Sequence, residues 1–180
     1  MLIGDPDKFA FLIEKVPSWS AGGFVNGLLY VYVNGEMFPK EPRTTTLSTD
    51  LFMLRGFAFE NLPTDERLYS LSDDDLFGEL CRLRYPAYFT DDEVADEVYR
   101  FDLELPELGN CGYHIFAVGG KENVRVLIGR WSDDEFTLVN SAEITLAEFA
   151  EICGAVIECS DNLKELRENS WTEKHAPKRC

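Results

Sequence analysis

The sequence predicts a single α+β domain: an antiparallel sheet built from hairpins, with two to four helices packed on it. Apolar segments separated by turn residues are typical of strands, and leucines at helical spacing follow capping residues elsewhere in the chain. At 180 residues and 45% hydrophobic residues, the chain can bury one core, and no repeat or linker divides it. We expect residues 1–160 to form the domain and residues 161–180 to be a polar tail.

The first predicted hairpin follows an apolar strand near the amino end. Phe9–Val16 is rich in β-forming residues and comes after turn-forming residues, so it is the first predicted strand. Gly27–Val33 is followed by Asn34-Gly35 and then by Glu36–Pro39. Asn and Gly both tolerate the positive φ that a type I′ turn requires, so this segment predicts a tight hairpin.

The central helix has the clearest signals of start and stop. Ser72 and Asp75 have the spacing of a capping box, and acids fill the first turn, where the helix dipole favours them. Pro86 ends the pattern. We therefore predict a helix over Asp73–Arg84, with its apolar face formed by Leu76, Leu80 and Leu83.

Three neighbouring segments give further predictions. Ser48 or Thr49 can cap a short helix over Asp50–Arg55, after a β-branched run at residues 44–46. Thr90 with Glu93 repeats the capping pattern and predicts a second, more acidic helix. Apolar and acidic residues alternate over Phe101–Leu105, which indicates an extended segment.

The last third of the chain predicts a second group of strands and a closing helix. Thr145 and Glu148 form another capping pair, ahead of a helix over Leu146–Cys159. The predicted strands before it are Gly112–Val118, Val124–Trp131 and Phe136–Ile144, the first two joined by a turn at Gly119–Glu122.

Negative charge is concentrated in the middle of the chain. The formal net charge is −16, and residues 65–107 hold fourteen acids and four arginines, which is ten of those sixteen charges. A field of this sign repels phosphate backbones and anionic lipids and attracts basic protein surfaces. We therefore expect neither nucleic acid nor a membrane as partner. A surface kept acidic for solubility is the alternative explanation.

Motifs for chemistry are incomplete. Gly120-Lys121 lacks the other residues of a P-loop, and a calcium loop starting at Asp73 fails at Phe77. Cys111 and His114 could begin a zinc site, but two further ligands are missing nearby, so we predict His114 to be a structural strand residue. We predict no catalytic, metal or cofactor residues.

The cysteines and the amino end indicate a reducing compartment. Five cysteines are an odd number with no disulfide spacing, and we expect Cys81 and Cys153 to be core residues. Neither a signal peptide nor an apolar run long enough to span a bilayer is present. These features predict a soluble cytoplasmic protein.

The amino-terminal turn and strand patterns resemble a known family. The segments that carry the resemblance are Ile3–Ala10, Phe24–Gly27, Val33–Glu41 and Thr44–Leu51. Residues 1–55 resemble the immunity protein 42 family, small bacterial proteins encoded beside polymorphic toxins of contact-dependent inhibition. The late hairpin and the helix near Leu146 fit more loosely. The resemblance implies a cytosolic antidote that binds and blocks the toxin domain delivered by a sibling cell. It supplies no binding residues.

Charge and resemblance lead to one main hypothesis and two alternatives. We predict an immunity protein whose acidic surface binds the carboxyl-terminal domain of its cognate toxin, which could be a nuclease with a basic cleft. An enzyme that uses clustered carboxylates on a small molecule and an acidic scaffold for a basic endogenous partner remain open. The predicted partner-binding residues are Asp73, Asp74, Asp75, Asp91, Asp92, Glu93, Asp96 and Glu97.

Overall fold

The computed structural model describes residues 1–20, 24–55, 62–85, 101–103, 105–132 and 135–175, with side chains throughout except at Arg55 and residues 164–175. It confirms the α+β prediction. The strands of the described residues form two antiparallel sheets rather than one.

The first sheet, sheet A, is built from the amino-terminal hairpins. Its strand order is β1-β2-β3-β4, and the short β5 pairs with β3 as well. The asparagine and glycine of the second hairpin adopt φ of 49° and 81°, which confirms the predicted turn. The strands are β1 (Leu2–Asp5), β2 (Phe9–Lys15), β3 (Asn26–Val33), β4 (Glu36–Phe38) and β5 (Thr45–Thr46).

The second sheet, sheet B, has the order β6-β7-β8. The register between β7 and β8 shifts between Ile128 and Gly129, so that Val139 has no partner across the strands. The Asn140 side chain donates to the Val33 carbonyl at 3.1 Å and so ties sheet B to sheet A. The strands are β6 (Tyr113–Gly119), β7 (Asn123–Ser132) and β8 (Glu135–Thr145).

Five α-helices lie among the described residues, one more than the upper limit that the sequence predicted. None of the described helices combines the length and the apolar character that crossing a bilayer requires. The helices are α1 (Leu47–Arg55), α2 (Glu66–Tyr69), α3 (Asp73–Arg84), α4 (Pro106–Asn110) and α5 (Leu146–His175).

Sheet B separates two hydrophobic clusters because alternate residues of its strands face opposite sides. On one side, Val124, Val126 and Ile128 join the inner face of sheet A and residues from α1 and α5 in the larger core. On the other side, Leu127 packs with residues of α2 and α3 in a smaller cluster that includes Phe77. The small helices α2 and α3 thus cover the face of sheet B that points away from sheet A.

The predicted capping boxes are present. The Ser72 hydroxyl accepts from the Asp75 amide at 3.2 Å and donates to the Asp75 carboxylate at 2.7 Å. Glu148 accepts from the Thr145 amide at 2.8 Å, and the Thr145 hydroxyl accepts from the Glu148 amide at 3.1 Å. Helix α3 accordingly has the predicted bounds, and α5 begins at the predicted residue.

Three segments differ from their predictions. Helix α1 begins at Leu47, before either predicted cap, and the Ser48 hydroxyl accepts from the Val25 amide instead. Helix α5 continues beyond Cys159 to His175, since no proline or glycine interrupts its polar second half. Among the described residues of the predicted extended segment, Asp102 alone forms a bridge, to Phe116 of β6. The acidic helix predicted after Thr90 lies outside the described residues.

Candidate functional site

The three consecutive acids at the start of α3 point in different directions. Asp73 faces the protein, where the Arg125 guanidinium and the Ser141 hydroxyl both donate to its carboxylate. Asp74 and Asp75 are exposed. The structure therefore separates residues that the sequence had grouped as a single contact.

Arg125 holds α2, α3 and β7 together. Its Nη1 donates to the carbonyls of Tyr69 and Leu71 at 2.8 and 2.6 Å, while its Nη2 donates to Asp73. The Arg125 side chain is 11% exposed and the Asp73 side chain 42%. Arg125 thus satisfies backbone carbonyls at the end of α2 as well as the carboxylate.

The electrostatics of Asp73 agree with this structural role. Burial raises the pKa of Asp73, but the hydrogen bonds from Ser141 and Arg125 outweigh burial and hold the pKa below its usual value. The charge of Asp73 is therefore neutralised from within the molecule. Asp73 therefore has a role within the fold, and its contact with a partner stays a prediction.

The exposed faces of α2 and α3 adjoin and carry most of the remaining charge of this region. The carboxylate of Glu79 on α3 pairs with Arg82 and lies 3.9 Å from the Arg67 guanidinium on α2. Asp65 caps α2 by accepting from the Leu68 amide at 2.9 Å. We call this region the α2–α3 acidic surface and define it as Asp65, Glu66, Asp74, Asp75 and Glu79.

The five acids of the α2–α3 acidic surface lie beside two arginines, Arg67 and Arg82, and they are not equivalent. Asp65 caps α2, the Asp75 carboxylate accepts from the hydroxyl of Ser72, which caps α3, and Glu79 is paired. Asp74 makes no hydrogen bond or ion pair within the described part of the chain. The other predicted contacts, Asp91, Asp92, Glu93, Asp96 and Glu97, lie outside the described residues, so their placement stays a prediction.

A polar cleft opens where α3 ends beside α4 and β6. Its volume is about 360 Å³. Within it the Arg84 guanidinium donates to the Asp102 carboxylate at 2.7 Å, and both side chains are largely buried. The Tyr85 hydroxyl and His114 Nδ1 are 2.7 Å apart. Burial and the nearby Arg84 charge lower the pKa of His114 to about 4, so the imidazole is neutral at physiological pH.

An enzyme that uses carboxylates would need two acids in one cleft, with at least one pKa raised. Asp102 is the one described acid lining the polar cleft, and Arg84 balances its charge. Burial raises the pKa of Asp50, but this carboxylate accepts from the Thr45 hydroxyl and the Glu107 amide beside a cavity of about 10 Å³, which has no room for a substrate. Neither of these two places therefore offers the enzyme alternative a candidate site.

The cysteines and histidine give no ligand set. No three side chains of His, Cys, Asp or Glu come together as metal ligands in the described ranges. Cys81 and Cys153 are buried, as predicted, and burial raises the pKa of both thiols. His114 is a strand residue of β6 held by Tyr85, which confirms its predicted structural role.

Sequence reasoning missed Arg125, although a signal was present. Arg125 alternates with Val124 and Val126 along β7, so it must share the opposite face with Leu127, which is completely buried. A single charge on the buried face of a strand indicates an internal partner. The identity of that partner, Asp73, depends on a contact across 52 positions of the chain and could not be read from local pattern.

Comparisons with known proteins give one family and one similar solved structure. The family model described as immunity protein 42 matches residues 1–158. The chain is also similar to the solved structure of CdiI from Burkholderia dolosa AUO158, with a TM-score of 0.72 and 27% sequence identity. That similarity covers 88% of this chain and 99% of the other. No curated protein matches the sequence.

Proposed function

The chain belongs to the immunity protein 42 family, and on that premise we propose that it binds the toxin domain encoded beside it and neutralises that toxin. The observation that carries the proposal is the family match over residues 1–158, supported by similarity to a CdiI structure along nearly the whole of that protein. The partner we propose is the carboxyl-terminal domain of a contact-dependent inhibition toxin.

The α2–α3 acidic surface is the proposed electrostatic contact. Among the acids that begin α3, Asp74 has the most available charge, because Asp73 is paired with Arg125 and the Asp75 carboxylate accepts from Ser72. Complementary charge increases the association rate by about 10- to 1,000-fold when a whole field acts, whereas single exposed pairs contribute about 0.2–1 kcal/mol. A toxin with a basic surface, such as a nuclease, fits this charge.

We propose the cytoplasm as the place where neutralisation occurs. The support comes from the described cysteines, Cys81, Cys111, Cys153 and Cys159, all of which are free thiols. Free thiols persist in a reducing compartment, whereas secreted domains of this size commonly carry disulfides.

The first experiment tests the function itself. The toxin domain from the neighbouring gene is expressed from an inducible promoter in a sensitive bacterial host, with or without this chain. We expect growth to be restored by the chain and a complex of the two proteins to co-purify. Growth arrest in the presence of the folded chain, with no complex, would reject the proposed function.

The second experiment tests the surface. The variant Asp74→Asn/Asp75→Asn should weaken toxin binding by about two- to tenfold at low salt, mainly through a slower association rate. The matched control is Glu122→Gln/Glu158→Gln, which removes the same charge at exposed positions elsewhere. A second variant replaces Asp91, Asp92, Glu93, Asp96 and Glu97 with amides. If wild type and both amide variants bind the toxin with equal affinity, the acidic surface does not contribute to binding.

Co-purification with and without the toxin gene distinguishes the antidote from the scaffold alternative. Recovery of a basic endogenous protein from a strain that lacks the toxin gene would support the scaffold alternative. Conversely, co-purification that depends on the toxin gene supports the antidote.

A further inference from the structure

A groove of about 530 Å³ lies between β1 and the first turns of α5, on the opposite side of sheet B from the α2–α3 acidic surface. Its floor is apolar and firmly packed. The Phe9 ring at its base stacks on Phe149 of α5, with ring centroids 6.2 Å apart. The apolar lining residues are Leu2, Ile3, Phe9, Ile144, Ile152 and Ala155.

One wall of the groove is an edge strand. Strand β1 ends the order of sheet A and is hydrogen-bonded to β2 alone among the described strands. The Met1 ammonium donates to the Ile13 carbonyl, and the Met1 carbonyl accepts from the Ile13 amide. The alternation of an antiparallel pair therefore turns the backbone groups of Leu2 away from β2. An unpaired edge of this kind accepts an added strand from another chain.

The rim of the groove exposes large apolar side chains. Met1 is 60% exposed and Leu2 50%, among the highest values for apolar residues of the described chain. Both residues line the groove. An added strand would therefore gain backbone hydrogen bonds and apolar contacts in one place.

The charges of the rim decide which occupant fits. The rim has three acids, Asp5, Glu148 and Glu151, but the Lys8 ammonium is already paired with Glu148 at 2.7 Å. The amino-terminal ammonium of Met1 donates to the Ile13 carbonyl. The charge of Lys8 is thus balanced by Glu148, while Asp5 and Glu151 are exposed and outnumber the remaining Met1 ammonium. A second copy of this chain, with its net charge of −16, would meet repulsion here, whereas a basic segment would not.

We propose that the β1–α5 groove is a second docking surface, which takes an extended segment of the toxin domain with basic residues at its flanks. The inference rests on the proposed function. The segment pairs with the free edge of β1, places an apolar side chain over Leu2, and directs its basic residues to Asp5 and Glu151. The acidic surface on α2 and α3 then accelerates encounter, and the groove slows dissociation.

The test uses the full chain and the purified toxin domain. Leu2→Lys should raise the dissociation constant by about tenfold or more, because it removes apolar contact and adds repulsion at a central position. Leu2→Glu should cost less, since a basic segment tolerates the added acid. Glu151→Lys should slow association. The matched control, Val139→Lys, changes another exposed apolar residue on an edge strand, that of sheet B, and should bind as wild type does.

The outcomes distinguish a failure of the groove proposal from a failure of the proposed function. If wild type binds the toxin and the three groove variants bind equally well, the groove proposal is overturned while the function stands. If wild type itself does not bind, the proposed function fails first. If Leu2→Lys and Leu2→Glu lose affinity equally, the basic character of the segment is overturned. A dimer in sedimentation that Leu2→Lys dissociates would make the occupant a second copy and overturn the proposal. Unchanged urea midpoints show that each variant is folded.

Discussion

Two regions of the molecule differ in which side chains they bury. One is the contact of α3 with sheet B, and the other is the groove between β1 and α5. At α3, Asp73 and Arg125 are turned into the protein and neutralise each other. At the groove, Met1 and Leu2 are turned out to solvent. The first region uses a charge for internal structure, and the second leaves apolar surface uncovered.

This difference shows that density of charge in a sequence does not by itself locate a binding surface. Of the three acids at the start of α3, one fastens the helix, one completes a cap and one is exposed without a partner in the described chain. The groove has fewer charges but pairs an unsatisfied strand edge with exposed apolar side chains. Binding energy is concentrated where desolvated apolar contact is available.

The largest expected effect is on the free energy of unfolding, and it should differ between a residue at the floor of the groove and one at its rim. Phe9→Ala should lower the free energy of unfolding by about 3–5 kcal/mol, because it leaves a cavity beneath Phe11 and Phe149. Leu2→Ala should change it by less than about 0.5 kcal/mol, since the side chain is half exposed. Urea denaturation measures both. A large loss for Leu2→Ala would make the rim part of the core and remove it as a binding surface.

The next prediction tests the internal role of the charges on α3. Arg125→Met should destabilise the protein by about 2–3 kcal/mol, because two backbone carbonyls lose this donor and the Asp73 carboxylate keeps only the Ser141 hydroxyl. The partial exposure of Asp73 keeps the loss below that of a fully buried pair.

The control for this prediction is Arg130→Met, an exposed arginine of the same strand, which should be close to neutral. Adding Asp73→Asn to Arg125→Met should recover part of the loss, since the remaining carboxylate charge is then gone. No recovery in this double-variant cycle would mean that Asp73 and Arg125 do not interact energetically.

The third prediction concerns His114, which is paired with Tyr85 on the same side of sheet B as α3, and it is tested by changing the pH. The pKa of His114 is lowered from 6.5 to about 4 by burial and the Arg84 charge. Between these values the unfolded chain binds a proton that the folded protein does not, so stability falls as pH decreases from 6.5 to 4. The full loss is about 3 kcal/mol.

His114→Gln keeps an acceptor for the Tyr85 hydroxyl and removes the titration. Its free energy of unfolding should therefore change less than that of wild type across this pH range. Parallel pH profiles for the two proteins would show that the imidazole is not held neutral in the fold.

The smallest effect concerns the start of the helix that forms one wall of the groove. Thr145→Ala removes the acceptor for the Glu148 amide and should cost about 1 kcal/mol. Thr145→Ser keeps that acceptor and should retain most of the stability. If both variants unfold at the wild-type urea concentration, the cap does not contribute to the stability of α5.

Local chemistry made much of the fold predictable. The Asn34-Gly35 turn, the Ser72 and Thr145 caps and the bounds of α3 each depend on residues within a few positions of one another, and the structure confirms them. The buried state of Cys81 was also predictable, because its neighbours have helical apolar spacing. Such features need no knowledge of distant contacts.

Features that depend on distant contacts could not be predicted. Strand β1 is short and contains a glycine with φ of 94°, so only its pairing with β2 makes it a strand. Asp50 resembles an exposed acid at a helix start, but Thr45 and the Glu107 amide hold it inside. The division of the strands into two sheets, and hence the groove, likewise follows from long-range packing.

The most direct test of the account is hydrogen exchange of this chain, free and bound to its toxin domain. We expect the outward-facing amide of Leu2 to exchange rapidly in the free protein and to be strongly protected in the complex, because an added strand occupies the edge of β1. The amide of Leu127, deep in sheet B, should be unchanged. A stable complex in which the amides of β1 exchange at the free rate would contradict the account.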